Sequence, residues 1–215
     1  MPGATIAMPL PLFQLPPSSQ KQWLAQRLAR PAPHDALGLS DGFRLPGRGG
    51  DATPAAVLVP VVNRPEGLTL LLTQRSADLP DHPGQISFPG GRVEADDATL
   101  AHAALRETAE EVGLAAERID ILGQLANYET VTGYVVTPVV GWVEPPFTLT
   151  ADPVEVADVF EVPLAFVLDP ANQQRQFRMQ GELRREFWAI PWRDRYIWGA
   201  TAAMLLILDR TLRAE

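Results

Sequence analysis

Apolar positions along this chain fall into short unbroken runs and a few longer stretches with helical spacing. Residues 55–62 and 68–73 are continuous apolar runs on either side of Asn63-Arg64-Pro65-Glu66-Gly67, which predicts two buried strands joined by a turn. Pro60 lies inside the first run and has no N–H to give to a ladder, so an edge position or a bulge is expected there. Ile86-Ser87-Phe88 predicts a short strand. Residues 119–125 and 135–143 predict two more, joined by the polar and aromatic segment 127–134, a composition suited to a binding loop on a rigid sheet. Phe177-Arg178-Met179-Gln180 and residues 185–190 read as a hairpin across Gly181.

Helical spacing appears four times. Ser18 and Ser19 cap an expected helix reaching Ala29, with Trp23, Leu24 and Leu28 on one face. A short helix is expected over 163–168, after the acidic and then apolar stretch 152–163. A closing helix is expected over 197–212, with Trp198, Thr201, Leu205 and Leu208 as its core stripe. The fourth helix begins between Asp97 and Thr99 and ends at Gly113, the natural left-handed C′ residue. Proline and small residues over 1–17 predict an extended arm, and 31–54 reads as loop. The division expected is an extension with a short helix and linker over 1–50, then one domain over 51–215. The 215 residues, 46% of them hydrophobic, suffice for one such core.

The fourth helix carries the candidate chemistry. At about 100° per residue, Glu111 lies roughly 40° to one side of Glu107 and Glu110 roughly 60° to the other. Three carboxylates thus share a face, and Ala101, Leu105, Ala109 and Val112 form the expected core face opposite. Acids three and four apart repel by about 0.2–0.5 kcal/mol per pair, and in a last turn they oppose the helix dipole. Local rules broken without structural return point to function. A divalent cation reverses the sign of the problem, since hard Mg²⁺ or Mn²⁺ prefers oxygen ligands. The competing reading is a solvated acidic face. Gly90 and Gly91, just upstream, favour the functional reading because they let backbone approach a ligand closely.

A net charge of −8 argues against general nucleic-acid binding, which needs a basic surface. With no cysteine, disulfides, thiolate metal sites and cysteine nucleophiles are excluded. The chain has no apolar run of membrane-helix length and its start does not resemble a signal peptide, so a cytoplasmic protein without membrane partners is expected. Gly47-Arg48-Gly49-Gly50 lacks the Lys-Ser/Thr of a phosphate loop and reads as linker. Arg75, closing the second strand, is a candidate fork for a substrate phosphate, with a surface ion pair as the alternative. His82 reads as a loop hydrogen-bonding residue. Tyr128 and Tyr134 are open between stacking on a base and packing in the core.

Gly91-Arg92-Val93-Glu94 followed by Arg106-Glu107-Thr108-Ala109-Glu110-Glu111-Val112-Gly113-Leu114 resembles the Nudix box, G-x5-E-x7-R-E-U-x-E-E-x-G-U with U aliphatic. Thr108 stands at the first U, and one extra residue precedes Arg106. Glu94, Asp96 and Asp97 are therefore all open as the acid that pairs with Arg106. Leu71-Leu72-Thr73-Gln74-Arg75-Ser76 and His82-Pro83-Gly84-Gln85-Ile86-Ser87-Phe88-Pro89-Gly90-Gly91 resemble the extended signature of the coenzyme A pyrophosphatase branch, with Pro80 where that branch carries arginine.

The resemblance implies an α/β (α+β) fold, a Nudix-like α/β/α sandwich with a mixed sheet between helices. It implies metal-dependent hydrolysis of a nucleoside diphosphate derivative, with coenzyme A or acyl-coenzyme A expected. NADH, ADP-ribose, a dNTP, or a non-catalytic nucleotide-sensing role are the alternatives. Glu107 and Glu111 are the expected Mg²⁺ or Mn²⁺ ligands, Glu110 completes the site, and Arg106 orients Glu107. Arg75, Gly90, Gly91 and Tyr134 are the expected substrate contacts. Glu155 is the expected downstream acid near the metal, with capping as its alternative, and Glu107 and Glu155 are both open as the base. The expected partner is a small nucleotide, not nucleic acid, and a homodimer is left open.

Overall fold

The computed structural model of the chain describes residues 10–30, 52–181 and 183–214; most of the expected arm and linker lie outside the described residues. The two apolar runs form β1 (Thr53–Arg64) and β2 (Gly67–Arg75), antiparallel from Arg64↔Gly67 to Val61↔Leu70. Beyond Val61 and Leu70 they part. The end of β2 pairs through Thr73 and Gln74 with β3 (Ile86–Ser87), and the start of β1 pairs through Ala55, Ala56 and Val57 with β4 (Gly90–Arg92). Phe88 and Pro89 thus run through a fork in the sheet, tied where the Leu58 N–H donates to the Pro89 carbonyl at 2.8 Å.

Pro60 occupies this fork and corrects the expectation of an edge or bulge, because β1 is central. Its other side runs parallel to β7 (Tyr134–Val143), from Thr53↔Tyr134 to Val62↔Val143. Residue 60 shares the parity of Leu58, so its missing N–H faces the gap between β4 and β2. No strand partner is recorded in that gap among the described residues.

β5 (Ile119–Gln124) and the short β6 (Tyr128–Glu129) flank β7. β8 (Val156–Pro163) pairs antiparallel with β2, a strand its acidic composition does not announce. Its charges are matched by cross-strand partners: Glu161 accepts from Arg64 Nη2 at 2.6 Å and from Thr69 at 2.6 Å, and Asp158 from Arg195 at 2.5 Å. A second, antiparallel sheet contains β9 (Gln174–Gln180), β10 (Leu183–Trp192) and β11 (Arg195–Trp198).

The expected hairpin across Gly181 is present as β9 and β10. The closing helix is shorter than expected. Ile197 and Trp198 belong to β11, and Gly199, at φ +63°, turns the chain into the last helix.

Among the described residues there are four α-helices: α1 (Pro17–Leu28), α2 (Leu100–Val112), α3 (Leu164–Val167) and α4 (Ala200–Arg213). On one face of the large sheet, Ala103, Ala104 and Val112 of α2 pack with Leu58, Val62, Leu71, Val139 and Val143. On the other, Leu205 and Leu208 of α4 pack with Val59, Val61, Leu70 and Leu72. Leu24 and Leu28 of α1 join this second core. The serines do not cap α1: it starts at Pro17, whose fixed φ suits a first turn, and no side chain caps it. The result is the expected α/β/α sandwich around a mixed sheet. Among the described residues no helix is long and apolar enough to cross a membrane.

Candidate active site

α2 is bounded by strong signals. The Thr99 side chain accepts the His102 N–H at 3.1 Å, a cap of about 1 kcal/mol, and Gly113 closes the helix at φ +69°. Its C-terminal carbonyls are used as well, Glu111 O accepting from Asp152 N at 2.9 Å and Val112 O from Thr150 N at 2.8 Å. The helix is turned further into the sheet than the sequence pattern suggests. Ala103, Ala104, Thr108, Glu111 and Val112 are buried, whereas Ala109, expected in the core, is exposed. The acids therefore do not stand opposite the core: Glu111 lies within the buried face, Glu107 on its margin and Glu110 outside it.

Glu111 is only 4% exposed. The Gly90 N–H donates to its Oε2 at 3.3 Å, and Arg75 Nη1 stands 3.8 Å from its Oε1. Burial pushes the carboxyl up to about 7, against the pull of the Gly90 N–H and the Arg75 charge, and the charges of Glu107 and Glu155 add to the rise. Glu107 is likewise raised, first by burial and then by Glu110 and Glu155, with Arg106 working against it. Gly91 lies directly against Glu107: a Cβ at residue 91 would sit 2.5 Å from Glu107 Oε1. Glu155 is exposed, yet its charge reaches both buried acids, and the Ser76 N–H donates to its carbonyl at 2.8 Å.

Arg106 is the hub of the outer half. Its Nη1 donates to Glu107 Oε1 and Glu110 Oε2, both at 3.0 Å, and its Nη2 to the Arg92 carbonyl at 3.1 Å. Its Nε and Nη2 form a fork on Asp97 at 3.1 and 3.0 Å. Asp97 is thus the acid that pairs with Arg106, not Glu94 or Asp96. Asp97 also accepts from the Glu94 N–H at 2.8 Å and lies 3.1 Å from His102 Nδ1. The Arg106 hydrogen bonds and then the Glu94 N–H hold Asp97 well below the usual carboxylate range, and Arg106 is raised in return.

Of the expected substrate contacts, Arg75, Gly90 and Gly91 meet the acids, and Tyr134 does not. Tyr134 accepts from Arg92 at 3.0 and 2.6 Å and lies under its guanidinium, 5.4 Å from the ring centroid. Arg92, assigned no role from the sequence, therefore links Tyr134 to Arg106 through its own carbonyl. Tyr128 is buried in the core. Among the described residues no three acidic or imidazole side chains converge as a metal cluster. What is assembled is a pair of desolvated carboxylates, with the Gly90 N–H and the Arg75 guanidinium at Glu111 and the Arg106 guanidinium at Glu107. Their donors are all oxygen, the class a hard divalent cation takes, and their mutual repulsion is what such a cation would relieve.

A family profile described as NUDIX domain matches residues 52–179. The chain is 45% identical over 152 residues to "Uncharacterized Nudix hydrolase NudL" of Cronobacter sakazakii, covering 70% of this chain and 78% of that one. It is 43% identical over 153 residues to the protein of the same name from Escherichia coli O1:K1 / APEC, again over 70% and 78% of the two chains. Among solved structures it is similar to a Nudix hydrolase from M. smegmatis, RenU, at 24% identity and a TM-score of 0.48, covering 60% of this chain and 83% of that one.

Proposed function

Because this chain belongs to the Nudix family and is a Nudix-type pyrophosphohydrolase, we propose that it hydrolyses coenzyme A or its thioesters at the diphosphate. Water adds to one phosphorus and the P–O–P bridge breaks, giving adenosine 3′,5′-bisphosphate and a 4′-phosphopantetheine product. The observation that carries this reading is the junction at Glu111, where the branch-like upstream run and the Nudix box meet. Arg75 and Gly90, both from the first, face one buried carboxylate of the second, at 3.8 and 3.3 Å. The intervening loop folds back on β2, with the Arg75 N–H donating to the Gln85 carbonyl at 2.9 Å.

Family members generally use divalent metal ions, and here Glu107 and Glu111 would hold Mg²⁺ or Mn²⁺, with Glu110 completing the site through water. Such an ion neutralises phosphate oxygens and acidifies the attacking water. Arg106, locked on Asp97, keeps Glu107 oriented and Glu110 close. Gly90 and Gly91 bring the backbone up against Glu111 and Glu107, and Arg75 would supply a guanidinium fork for a phosphate oxygen.

The test is incubation with Mg²⁺ and coenzyme A, NADH, ADP-ribose or dNTPs in parallel, with products resolved by chromatography. Coenzyme A is expected to be split fastest. Coenzyme A left intact while another substrate is cleaved overturns the substrate assignment.

A further inference from the structure

Arg75 is poorly satisfied for a half-buried arginine. Its Nε is buried and has no hydrogen-bond partner among the described residues, and its Nη1 reaches Glu111 only at 3.8 Å, beyond hydrogen-bond length. An unmatched buried donor carries a desolvation cost, and a guanidinium held to a carboxylate by charge alone gains little geometric specificity. Arg106, a few residues from the same acids, shows the contrast, with each of its three nitrogens bonded. The Arg75 arrangement suits a group that must let go.

We propose that Arg75 is a built-in counter-ion that occupies the charge of Glu111 in the metal-free protein and is displaced when a divalent cation binds. The freed guanidinium is then the fork that receives a substrate phosphate, whose oxygens also satisfy the orphaned Nε. Cation and arginine thus exchange at one carboxylate, and this couples metal loading to the readiness of the phosphate site. The inference rests on the metal-site reading above and does not depend on which nucleotide is the substrate.

Metal affinity read without substrate tests it. Mn²⁺ binding to the full chain, followed by calorimetry or by the free-Mn²⁺ EPR signal, is expected to tighten on the order of tenfold in Arg75→Gln, about 1.4 kcal/mol, because the competing charge is gone. Arg75→Lys keeps a cation and is expected to bind Mn²⁺ as the parent does. Unchanged or weaker Mn²⁺ binding in Arg75→Gln overturns the exchange while leaving the metal site standing. A parent that binds no Mn²⁺ overturns both. If Arg75→Gln does not fold, the parent answers alone. Its Arg75 Nε–H resonance is expected to shift on Mg²⁺ titration, and a resonance indifferent to saturating Mg²⁺ refutes the proposal.

Discussion

Gly90 and Gly91 are adjacent, yet adding one methyl group is expected to fail in different ways at each. A Cβ on Gly91 would lie 2.5 Å from Glu107 Cδ and Oε1 and 2.6 Å from Oε2, where ordinary contact begins at 3.4 Å. Something must move by about 1 Å, and the group in the way is the far end of a flexible side chain. Gly91→Ala should therefore cost less than about 1 kcal/mol of stability, chiefly the weakened Glu107–Arg106 ion pair. It should nevertheless lower turnover about 100-fold, the usual effect of misplacing a reacting group by 1 Å.

A Cβ on Gly90 would lie 2.5 Å from the Ala56 carbonyl oxygen and from Val57 Cα, on the backbone of a central strand. Gly90 is also at φ +152°. Steric strain and overpacking of about 1–3 kcal/mol each add here, so Gly90→Ala should lose about 2–6 kcal/mol. That is a large share of a typical stability of about 5–15 kcal/mol. Urea denaturation with metal-dependent hydrolysis on the same preparations separates the two outcomes. Parental turnover in Gly91→Ala, or parental stability in Gly90→Ala, refutes the account of how the fork positions the site.

Glu111→Gln is expected to keep the fold, read by circular dichroism, and to abolish metal-dependent turnover, since it removes one ligand charge at nearly constant volume; near-parental activity rules out the ion's assigned position. Asp97→Asn addresses the acid side of stability. Asp97 titrates in the folded state below its unfolded value, so its contribution is present above about pH 4 and is lost as pH falls below that. The parent should therefore lose more stability than Asp97→Asn between about pH 5 and pH 3, and equal losses in denaturation curves would show that the Arg106 fork does not set the acid limit. Thr108→Val is expected to change stability by less than about 1 kcal/mol and to leave turnover unaltered, because the buried hydroxyl only returns to the Ala104 carbonyl of its own helix, at 2.6 Å. A loss of more than about 2 kcal/mol on urea denaturation would give that hydroxyl a further partner.

Much of this architecture was legible because strong local signals agree with tertiary demand. The runs around Asn63-Arg64-Pro65-Glu66-Gly67 became a hairpin, and Thr99 and Gly113 bounded α2, since turn and cap chemistry act over a few residues. What escaped was set by partners distant in sequence. β8, a stretch given no element from the sequence, is a strand whose Glu161 and Asp158 are balanced by Arg64 and Arg195, 97 and 37 residues away. Pro60 looked like an edge residue because nothing local reveals that β1 changes neighbours from β4 to β2 where its N–H is missing.

The rotation of α2 follows the same logic and bears most on the chemistry. A helical wheel ranks positions by side-chain type, so it put the carboxylates outside and Ala109 inside. The structure reverses this locally because the Gly90 N–H and the Arg75 guanidinium, both delivered by the forked sheet, face Glu111 from within. A carboxylate that a distant N–H and a distant positive charge face no longer has to face water, and the small side chains at Ala103 and Ala104 let the helix approach the sheet closely. Burial against the sheet is what raises the pKa of the acid at 111, against the pull of Gly90 and Arg75, and Glu107 of its own helix adds to the rise. Substitutions in the fork, such as those at Gly90 and Pro60, should for that reason alter metal affinity as well as stability, whereas the exposed Ala109 of α2, which faces neither the sheet nor the site, should alter neither. A mutant series that scores Mn²⁺ affinity against urea midpoint would show whether the two losses travel together along β1, β3 and β4.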